Sequence, residues 1–342
     1  MTDISNLRND LNLTKEDLTL SKSKEFQSFL SKSIEEVGLV RKLERKPLVW
    51  LDADENILSA FDKLSGQELL SAPVFCQISK QWVTILDIKD LVKFVVSLFD
   101  QENNLVQTIG FEQVSIRTLL TNKNGVFKRQ CPMIGKSDSV FNLLDLFYKK
   151  FHRVCIAMSD DQMDIKIFSQ LSLIKWMDKN KVLGSSGELS LKSLGLFNKD
   201  KPLIQIDHKK LAIDAFRLLA ENNIYGVPVV NENGELLDNI SVIDIKYCKM
   251  DKAKLLQPLY EFFYPSVGNA YPIPLRDMIV CAPQTKLREA MGRMAATKVH
   301  RIFLVKEVVE AGITQVPINV ISVSDIVGSI ATIAGIEKFN TR

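Results

Sequence analysis

Three hydroxyl residues in this chain are each followed, three positions later, by an aspartate at a point where an apolar run gives way to a helical pattern. An aspartate in such a strand-to-helix turn can accept hydrogen bonds from both vicinal hydroxyls of a ribose. The serine or threonine can cap the new helix or reach the same ligand. Taken alone, each pair is more typical of a simple helix cap, whereas the repetition favours a ligand site. The pairs are Thr84 and Asp87, Ser241 and Asp244, and Ser322 and Asp325.

The first of these junctions allows a second alignment, because a further aspartate, Asp90, follows Asp87 by three residues. We favour Asp87 as the equivalent of the other two aspartates. With that choice, Thr84 aligns with Ser241 and Ser322.

A histidine followed by an arginine occurs twice, at His152-Arg153 and at His300-Arg301. Arginine offers a planar fork of donors that suits a phosphate, and histidine offers a second donor. The simpler interpretation is two exposed loop dipeptides. The chain has only three histidines, and two of them occur at equivalent places, so a phosphate-binding role is favoured. The third histidine, His208, receives no role.

Motifs of the common catalytic and metal sites are missing from the sequence. The five cysteines are too far apart for a C-x-x-C pair, and the three histidines form no H-E-x-x-H. Gly135-Lys-Ser resembles the end of a phosphate-binding loop, but Gln130 stands where its first glycine belongs. The aspartates recur singly rather than as acid–base pairs. The sequence therefore predicts no catalytic residues and no metal site.

The candidate residues lie within four diverged copies of one unit, each with an apolar run, a helix, two strands and a second helix. Such internal repetition is typical of duplicated folds. Apolar residues at helical spacing in the first helices are predicted to pack in the core: Phe61, Leu64, Leu143, Phe147, Phe216, Leu219, Met291 and Met294. The predicted bounds are 46–100, 129–180, 202–264 and 275–336, with a helical lead segment at 1–45 and a linker at 181–201.

The overall composition excludes several classes of protein. The 342 residues are 46% apolar, which favours a folded chain with a sizeable core. The net charge is only +3, without the basic footprint of a nucleic-acid-binding protein. No apolar run is long enough to span a membrane. We expect a cytoplasmic protein, with the nucleus as a second location, that binds neither nucleic acid nor membrane.

These repeats resemble the cystathionine-β-synthase (CBS) domain family. The fourth repeat carries the likeness most clearly, in Lys298-Val-His-Arg-Ile-Phe-Leu-Val and in Val320-Ile-Ser-Val-Ser-Asp-Ile-Val. The third repeat follows with Gly226-Val-Pro-Val-Val-Asn-Glu-Asn-Gly. Four repeats with His-Arg in the second and fourth look most like the gamma subunits of AMP-activated protein kinase and their yeast and plant relatives. The resemblance implies an α+β fold of four β-α-β-β-α repeats, paired into two Bateman modules that form a flat, pseudo-four-fold disk.

The resemblance also implies ligands and roles for individual residues. AMP, ADP or ATP would bind as regulatory ligands in clefts that face the centre of the disk, and no catalytic cofactor is expected. The implied ribose ligands are Asp87, Asp244 and Asp325 with the hydroxyls of Thr84, Ser241 and Ser322, and the residues that would face phosphates are His152, Arg153, His300 and Arg301.

Three departures from the family pattern limit this assignment. Ser172 stands where the second repeat should have aspartate, which predicts a weak or empty site. The first repeat has Leu70-Ser71 and the third has Tyr225-Gly226 at the His-Arg position, so both lack its charge. The Asp244 cleft is the favoured site, because the fourth repeat would close it with its His-Arg pair.

Two functions remain open at the level of sequence. The first is a non-catalytic, energy-sensing gamma-type subunit that assembles with the catalytic and scaffold subunits of a protein kinase. The second is a CBS-repeat scaffold that has lost nucleotide control. The preferred nucleotide, or another adenosyl ligand such as S-adenosylmethionine, is left open as well.

Overall fold

The fold is taken from a computed structural model, which describes residues 24–41, 47–106, 110–198, 200, 202–248, 251–264, 278–308 and 314–336. Most of the predicted lead segment lies outside these ranges. Its described part forms one helix, α1 (Lys24–Ser31), which buries Phe26 and Leu30.

Each repeat contains a three-stranded sheet with the predicted order of strand, helix, strand, strand and helix. The first repeat comprises β1 (Leu51–Asp52), α2 (Ile57–Gly66), β2 (Ser71–Cys76), β3 (Gln81–Asp87) and α3 (Ile88–Ser97), and a short helix, α4 (Ile116–Leu120), follows it. The second comprises β4 (Met133–Gly135), α5 (Val140–Tyr148), β5 (Arg153–Ala157), β6 (Ile165–Ser169) and α6 (Gln170–Asn180).

In the third repeat, a 3-10 turn replaces the second helix. This repeat comprises β7 (Ile206–Asp207), α7 (Ala212–Glu221), β8 (Gly226–Val230), β9 (Leu236–Ser241) and the 3-10 helix Val242–Cys248, followed by α8 (Lys252–Leu255) and α9 (Leu259–Phe263). The fourth comprises β10 (Val280–Cys281), α10 (Leu287–Thr297), β11 (Arg301–Val308), β12 (Thr314–Ser322) and α11 (Val323–Ile333).

The four sheets share one topology, in which the first strand runs parallel to the second and the second runs antiparallel to the third. Their registers fix which residues are equivalent. The first residue of the second strand pairs with the residue that precedes the second helix, in the pairs Ser71 and Asp87, Arg153 and Ser169, Gly226 and Ser241, and Arg301 and Ser322.

This register corrects the predicted alignment of the first junction. Asp87, not Thr84, is the equivalent of Ser241 and Ser322. Asp90 therefore occupies the position of the later aspartates, which is the alignment that we did not favour. The prediction was wrong because the first junction has Asp87 in place of the hydroxyl residue, whereas Thr84-x-x-Asp87 matches the motif three residues earlier, and only strand pairing distinguishes the two alignments.

A left-handed residue ends the first helix of every repeat. Glu68, Lys150, Asn223 and Lys298 all have φ between 53° and 71°. Each lies three residues before the second strand, which supports the same register. In the second and fourth repeats the histidine follows this residue by two positions and the arginine by three, so each arginine is the first residue of the next strand.

Two hydrophobic cores hold the repeats together, and each core combines two repeats that are not adjacent in sequence. One core joins the first and third repeats, where α3 packs against α7. The other joins the second and fourth, where α5 packs against α11 and α6 against α10. All eight residues predicted for the core are buried, which confirms the helical spacing argument.

Contacts near the sheets connect the repeats that follow one another in sequence. The indole Nε1 of Trp82 in the first repeat donates to the carbonyl oxygen of Gln162 in the second, at 2.7 Å. Strand β9 of the third repeat contacts β12 of the fourth. Together with the two cores, these contacts close a ring in the order first, second, fourth and third repeat. The pairing agrees with two modules placed side by side.

The predicted linker at 181–201 is packed rather than extended. Leu183, Leu191 and Leu194 are buried in the core of the second and fourth repeats. Backbone hydrogen bonds join Leu191 and Lys192 to the chain at 283–285 in the fourth repeat. Within the described residues, every helix is too short or too polar to span a bilayer.

Candidate functional site

The three acidic strand-to-helix junctions have the same local geometry. The backbone N–H of Asp87 donates to Oδ2 of Asp90 at 3.0 Å. The N–H of Ser241 donates to Asp244, and that of Ser322 to Asp325, both at 2.7 Å. Each aspartate therefore holds the turn through one oxygen.

At the second junction, the two hydroxyls bond to each other. Ser169 Oγ and Ser172 Oγ lie 2.9 Å apart, and Ser169 also accepts the N–H of Ser172 as a helix cap. A hydroxyl pair lacks the carboxylate that binds vicinal ribose hydroxyls. This geometry agrees with the predicted weakness of the second site.

A cavity of about 270 Å³ opens between the first and second repeats. The first repeat contributes Ser71, Thr84 and Asp87 to its walls, and the third contributes Tyr225. Thr84 is buried within β3 and pairs with Val74. It thus reaches the predicted cleft, although it is not the equivalent of the junction hydroxyls.

The wall from the second repeat is basic. It contains Arg129, Lys149, Lys150, His152 and Arg153. The last two were predicted, and the first three were not. The sequence contained a signal for two of them, because Lys149 and Lys150 lie just before the His-Arg pair and only Phe151 separates them from it. Arg129 lies before β4, the first strand of the second repeat, so no repeated motif identifies it.

Asp90 lies behind this wall, in an ion pair with Arg129. Burial raises the pKa of the Asp90 carboxyl, and the Arg129 guanidinium opposes that effect. A carboxylate and a guanidinium that are both near the cavity can exchange partners when a ligand offers hydroxyls to one and a phosphate to the other.

Asp87 is already engaged at the edge of the cavity. Its Oδ1 accepts the backbone N–H of Lys89 at 2.9 Å, which makes it the cap of α3. Its Oδ2 accepts the Tyr225 hydroxyl at 3.2 Å and Nη1 of Arg153 at 3.5 Å. Asp87 thus lies against the arginine that was predicted to bind phosphate.

Tyr225 of the third repeat occupies the position that holds histidine in the second and fourth repeats. It contacts Asp87 of the first repeat and His152 of the second. Its ring meets that of His152 edge-on at 5.0 Å. Lys89 Nζ lies 4.3 Å from the same ring. Burial raises the pKa of the Tyr225 hydroxyl, and Asp87 adds to the effect. Tyr225 therefore remains a neutral donor.

The His152 imidazole is oriented by a hydrogen-bonded chain from the fourth repeat. Ser324 Oγ donates to Gln170 Oε1 at 2.7 Å and lies 3.0 Å from His152 Nδ1. Because the serine proton is directed at Gln170, Nδ1 carries the hydrogen and Nε2 is the acceptor in the neutral ring. Burial lowers the pKa of His152.

Cationic groups surround His300. Burial and the charges of Arg153, Arg301, Lys175 and His152 lower its pKa to about 4. The charges of both His-Arg pairs therefore act on His300. A convergence of like charges in a buried place favours an anionic ligand.

The Asp244 cleft differs from the first one. Asp244 is buried, and its Oδ2 accepts both the N–H and the hydroxyl of Ser241 at 2.7 Å. Arg301 lies so close to Gly226 that a Cβ there would clash with its guanidinium. Burial lowers the pKa of Arg301 to about 10, and Asp244 opposes the shift. The arginine expected to close this cleft thus fills part of it.

Asp325 in the fourth repeat is exposed. Its Oδ2 accepts the Ser322 hydroxyl at 2.6 Å, and Ser322 caps α11. The junction hydroxyls of the third and fourth repeats therefore bond their own aspartates. Within the described part of the chain, no group of three His, Cys, Asp or Glu side chains could hold a metal ion.

Comparison with known proteins agrees with this architecture. The CBS domain family matches residues 199–250 and 270–332, which cover the third and fourth repeats. Protein SDS23 from Vanderwaltozyma polyspora is 24% identical over 84% of this chain and 59% of its own length. The gamma-3 subunit of 5'-AMP-activated protein kinase from Bos taurus is 25% identical over 82% of this chain and 55% of its own length.

A solved structure shares the fold of the whole ring. It is a protein from Methanocaldococcus jannaschii proposed as an archaeal homologue of the AMP-activated protein kinase gamma subunit. It superposes with a TM-score of 0.61 at 15% identity, over 86% of this chain and 98% of its own. The chain spans less than two thirds of the two curated relatives named above. The third and fourth repeats match the CBS domain family, the first and second repeats share their topology, and the chain as a whole resembles the gamma subunits of AMP-activated protein kinase.

Proposed function

We propose that this chain is a non-catalytic regulatory protein that binds an adenine nucleotide in the cleft between the first and second repeats. The observation that carries the proposal is the cavity itself, which places an acidic strand-to-helix junction opposite five basic side chains. A nucleotide presents the matching groups, with two ribose hydroxyls at one end and phosphates at the other.

In this proposal Asp90 binds the ribose. In the strand pairing, Asp90 occupies the position of Asp244 and Asp325. The ligand must displace Arg129 from the Asp90 carboxylate. The phosphate then offers Arg129 a new partner and takes Arg153 from Asp87. The ion pairs of the unliganded cleft are thus exchanged for charge-assisted bonds to the ligand.

Binding would be communicated through contacts between repeats. Arg153 belongs to the second repeat, Asp87 to the first and Tyr225 to the third, and they meet at one carboxylate. A ligand that draws Arg153 away alters a contact shared by three repeats. A nucleotide regulates a partner only if it binds the partner-bound and partner-free states differently.

The regulated partner that the relatives support is a protein kinase. One curated relative is a kinase gamma subunit, and the archaeal fold neighbour is compared with the same subunit. We therefore propose assembly with kinase catalytic and scaffold subunits. Co-purification of the tagged chain from its own cells tests this part, and an eluate without a kinase contradicts it.

A scaffold that has lost nucleotide control is the second candidate. Three observations favour it: Asp244 is bonded within its own turn, Arg301 lies against Gly226, and Ser172 lacks a carboxylate. These features concern the other clefts, and the cleft beside Asp90 keeps both its cavity and its basic wall. The first function is therefore the better supported one.

Calorimetric titration of the purified full chain with AMP and ATP distinguishes the two functions. We expect saturable binding that is weakened by Arg153→Ala and unchanged by Arg288→Ala, since Arg288 pairs with Glu188 on the surface. Absence of heat and of competition at millimolar nucleotide would establish the scaffold instead.

A further inference from the structure

Two cysteine sulfurs meet at the edge of the basic cleft. Sγ of Cys131 and Sγ of Cys155 lie 3.4 Å apart. Cys155 is buried in β5, whereas Cys131 is half-buried and lies just before β4. The other three cysteines, Cys76, Cys248 and Cys281, are all buried.

The backbone around this pair can allow a bond between the two sulfurs. An S–S bond is about 2.0 Å long, so the sulfurs must approach by about 1.4 Å. Cys155 is held on both sides by sheet pairing. Cys131 lies outside the regular strands, and the nearby backbone bond runs from Cys155 N to Pro132 O at 2.8 Å. Formation of the bond would therefore move the segment 129–132 rather than β5.

That segment also forms part of the cleft wall. Arg129, Gln130 and Pro132 all line the cavity, and Arg129 holds Asp90. Any displacement of Cys131 toward β5 is transmitted to Arg129 through two peptide units. The position of the sulfur pair and the shape of the cleft are thus coupled by covalent geometry.

We propose that Cys131 and Cys155 form an oxidation site, which a peroxide converts into an intramolecular disulfide that moves Arg129 and reshapes the cleft. The half-buried Cys131 reacts first, because access controls thiol oxidation as much as acidity does. Hydrogen bonding with Cys131 and burial raise the pKa of the Cys155 thiol, so Cys155 is the less reactive of the two and reacts second.

The reaction balances with one peroxide. The Cys131 sulfur attacks one peroxide oxygen and breaks the O–O bond, which gives a sulfenic acid and one water after proton transfer. The Cys155 sulfur then attacks the sulfenic sulfur, and its proton leaves with the hydroxyl as a second water. Two thiols are oxidised by two electrons in total, and hydrogen peroxide is reduced to two molecules of water.

The test is mass spectrometry of the full chain before and after treatment with hydrogen peroxide. We expect a loss of about 2 Da and a reducible peptide that joins the two cysteines, since a disulfide removes two hydrogens. Cys131→Ser and Cys155→Ser should each abolish that peptide, and Cys248→Ser should retain it. Irreversible oxidation at separate sites, or a bond between two chains through Cys131, would overturn the site.

A second measurement tests the coupling to the cleft and depends on the proposed nucleotide binding. The oxidised chain should bind AMP about fivefold more weakly than the reduced one, at the low end of usual coupling. Cys131→Ser should bind equally before and after peroxide. Disulfide formation with unchanged AMP affinity overturns the coupling alone, whereas an absence of binding in both forms overturns the proposed function and leaves the oxidation site in place.

Discussion

Asp87 and Asp90 lie one helical turn apart, yet their positions predict opposite consequences of substitution. Asp90 has the register of Asp244 and Asp325, where a ribose ligand belongs. Asp87 has the register of Ser241 and Ser322 and lies against Arg153. In this position a carboxylate competes with a phosphate for the arginine.

We therefore expect Asp90→Asn to weaken AMP binding about tenfold or more, because hydrogen bonds to a charged acceptor become neutral ones. Asp87→Ser should preserve or strengthen binding, since it gives the first repeat the residue of the others and releases Arg153. Equilibrium titration of both variants with AMP checks the pair. Strong loss in Asp87→Ser with retention in Asp90→Asn would restore the original alignment of the motif.

His300 predicts a pH dependence of stability. Its pKa is about 4 in the folded protein, below the ordinary value of 6.5. The unfolded chain then binds more protons between these values, so stability falls as the pH drops from about 6.5 toward about 4. At pH 5 the loss from this residue is about 2 kcal/mol.

Chemical unfolding at pH 7 and pH 5 measures this contribution. His300→Gln should show a smaller decrease in the free energy of unfolding than the wild type between these pH values, because glutamine does not titrate. Between pH 7 and pH 8 the two proteins should have the same slope. Equal decreases at low pH would show that His300 is not buried among cations.

At the scale of the elements, Gly226 opens the second strand of the third repeat at the position of the arginines in the second and fourth. The Arg301 guanidinium and the Ile240 carbonyl occupy the space that a Cβ would need. The missing side chain therefore makes room for an arginine from the neighbouring repeat.

Gly226→Ala should destabilise the protein by about 1–3 kcal/mol, the usual range for overpacking. Gly328→Ala is the matched control, because a Cβ there meets no atom within 4 Å and α11 is helical. That control should stabilise the protein by up to about 1 kcal/mol. Denaturant unfolding measures both, and equal behaviour would contradict the placement of Arg301.

The elements also show how far sequence reasoning reaches. The spacing of apolar residues within one repeat predicts the order of its strands and helices and its core residues. The alignment of Asp87 and Asp90 depends on hydrogen bonds between strands. The convergence of Arg129, Lys149 and Lys150 on one cavity depends on packing between repeats. Neither the alignment nor the convergence can be predicted from a pattern within one repeat.

At the scale of the whole molecule, each core combines repeats from the two halves of the chain. The clefts between sequential repeats therefore cannot change without strain on contacts across the ring. The charges of Arg153 and His152 from the first half act on His300 from the second half, so the two halves are coupled electrostatically. This arrangement suits a protein that converts ligand occupancy into a change of shape.

The most direct test of the central claim is a crystal structure of the full chain with AMP. The proposal predicts AMP in the cleft between the first and second repeats, with its ribose hydroxyls on Asp90 and its phosphate contacting Arg153. Arg129 should have left Asp90 for the ligand. AMP bound only beside Asp244 or Asp325, with the ion pair of Arg129 and Asp90 intact, would contradict the proposal.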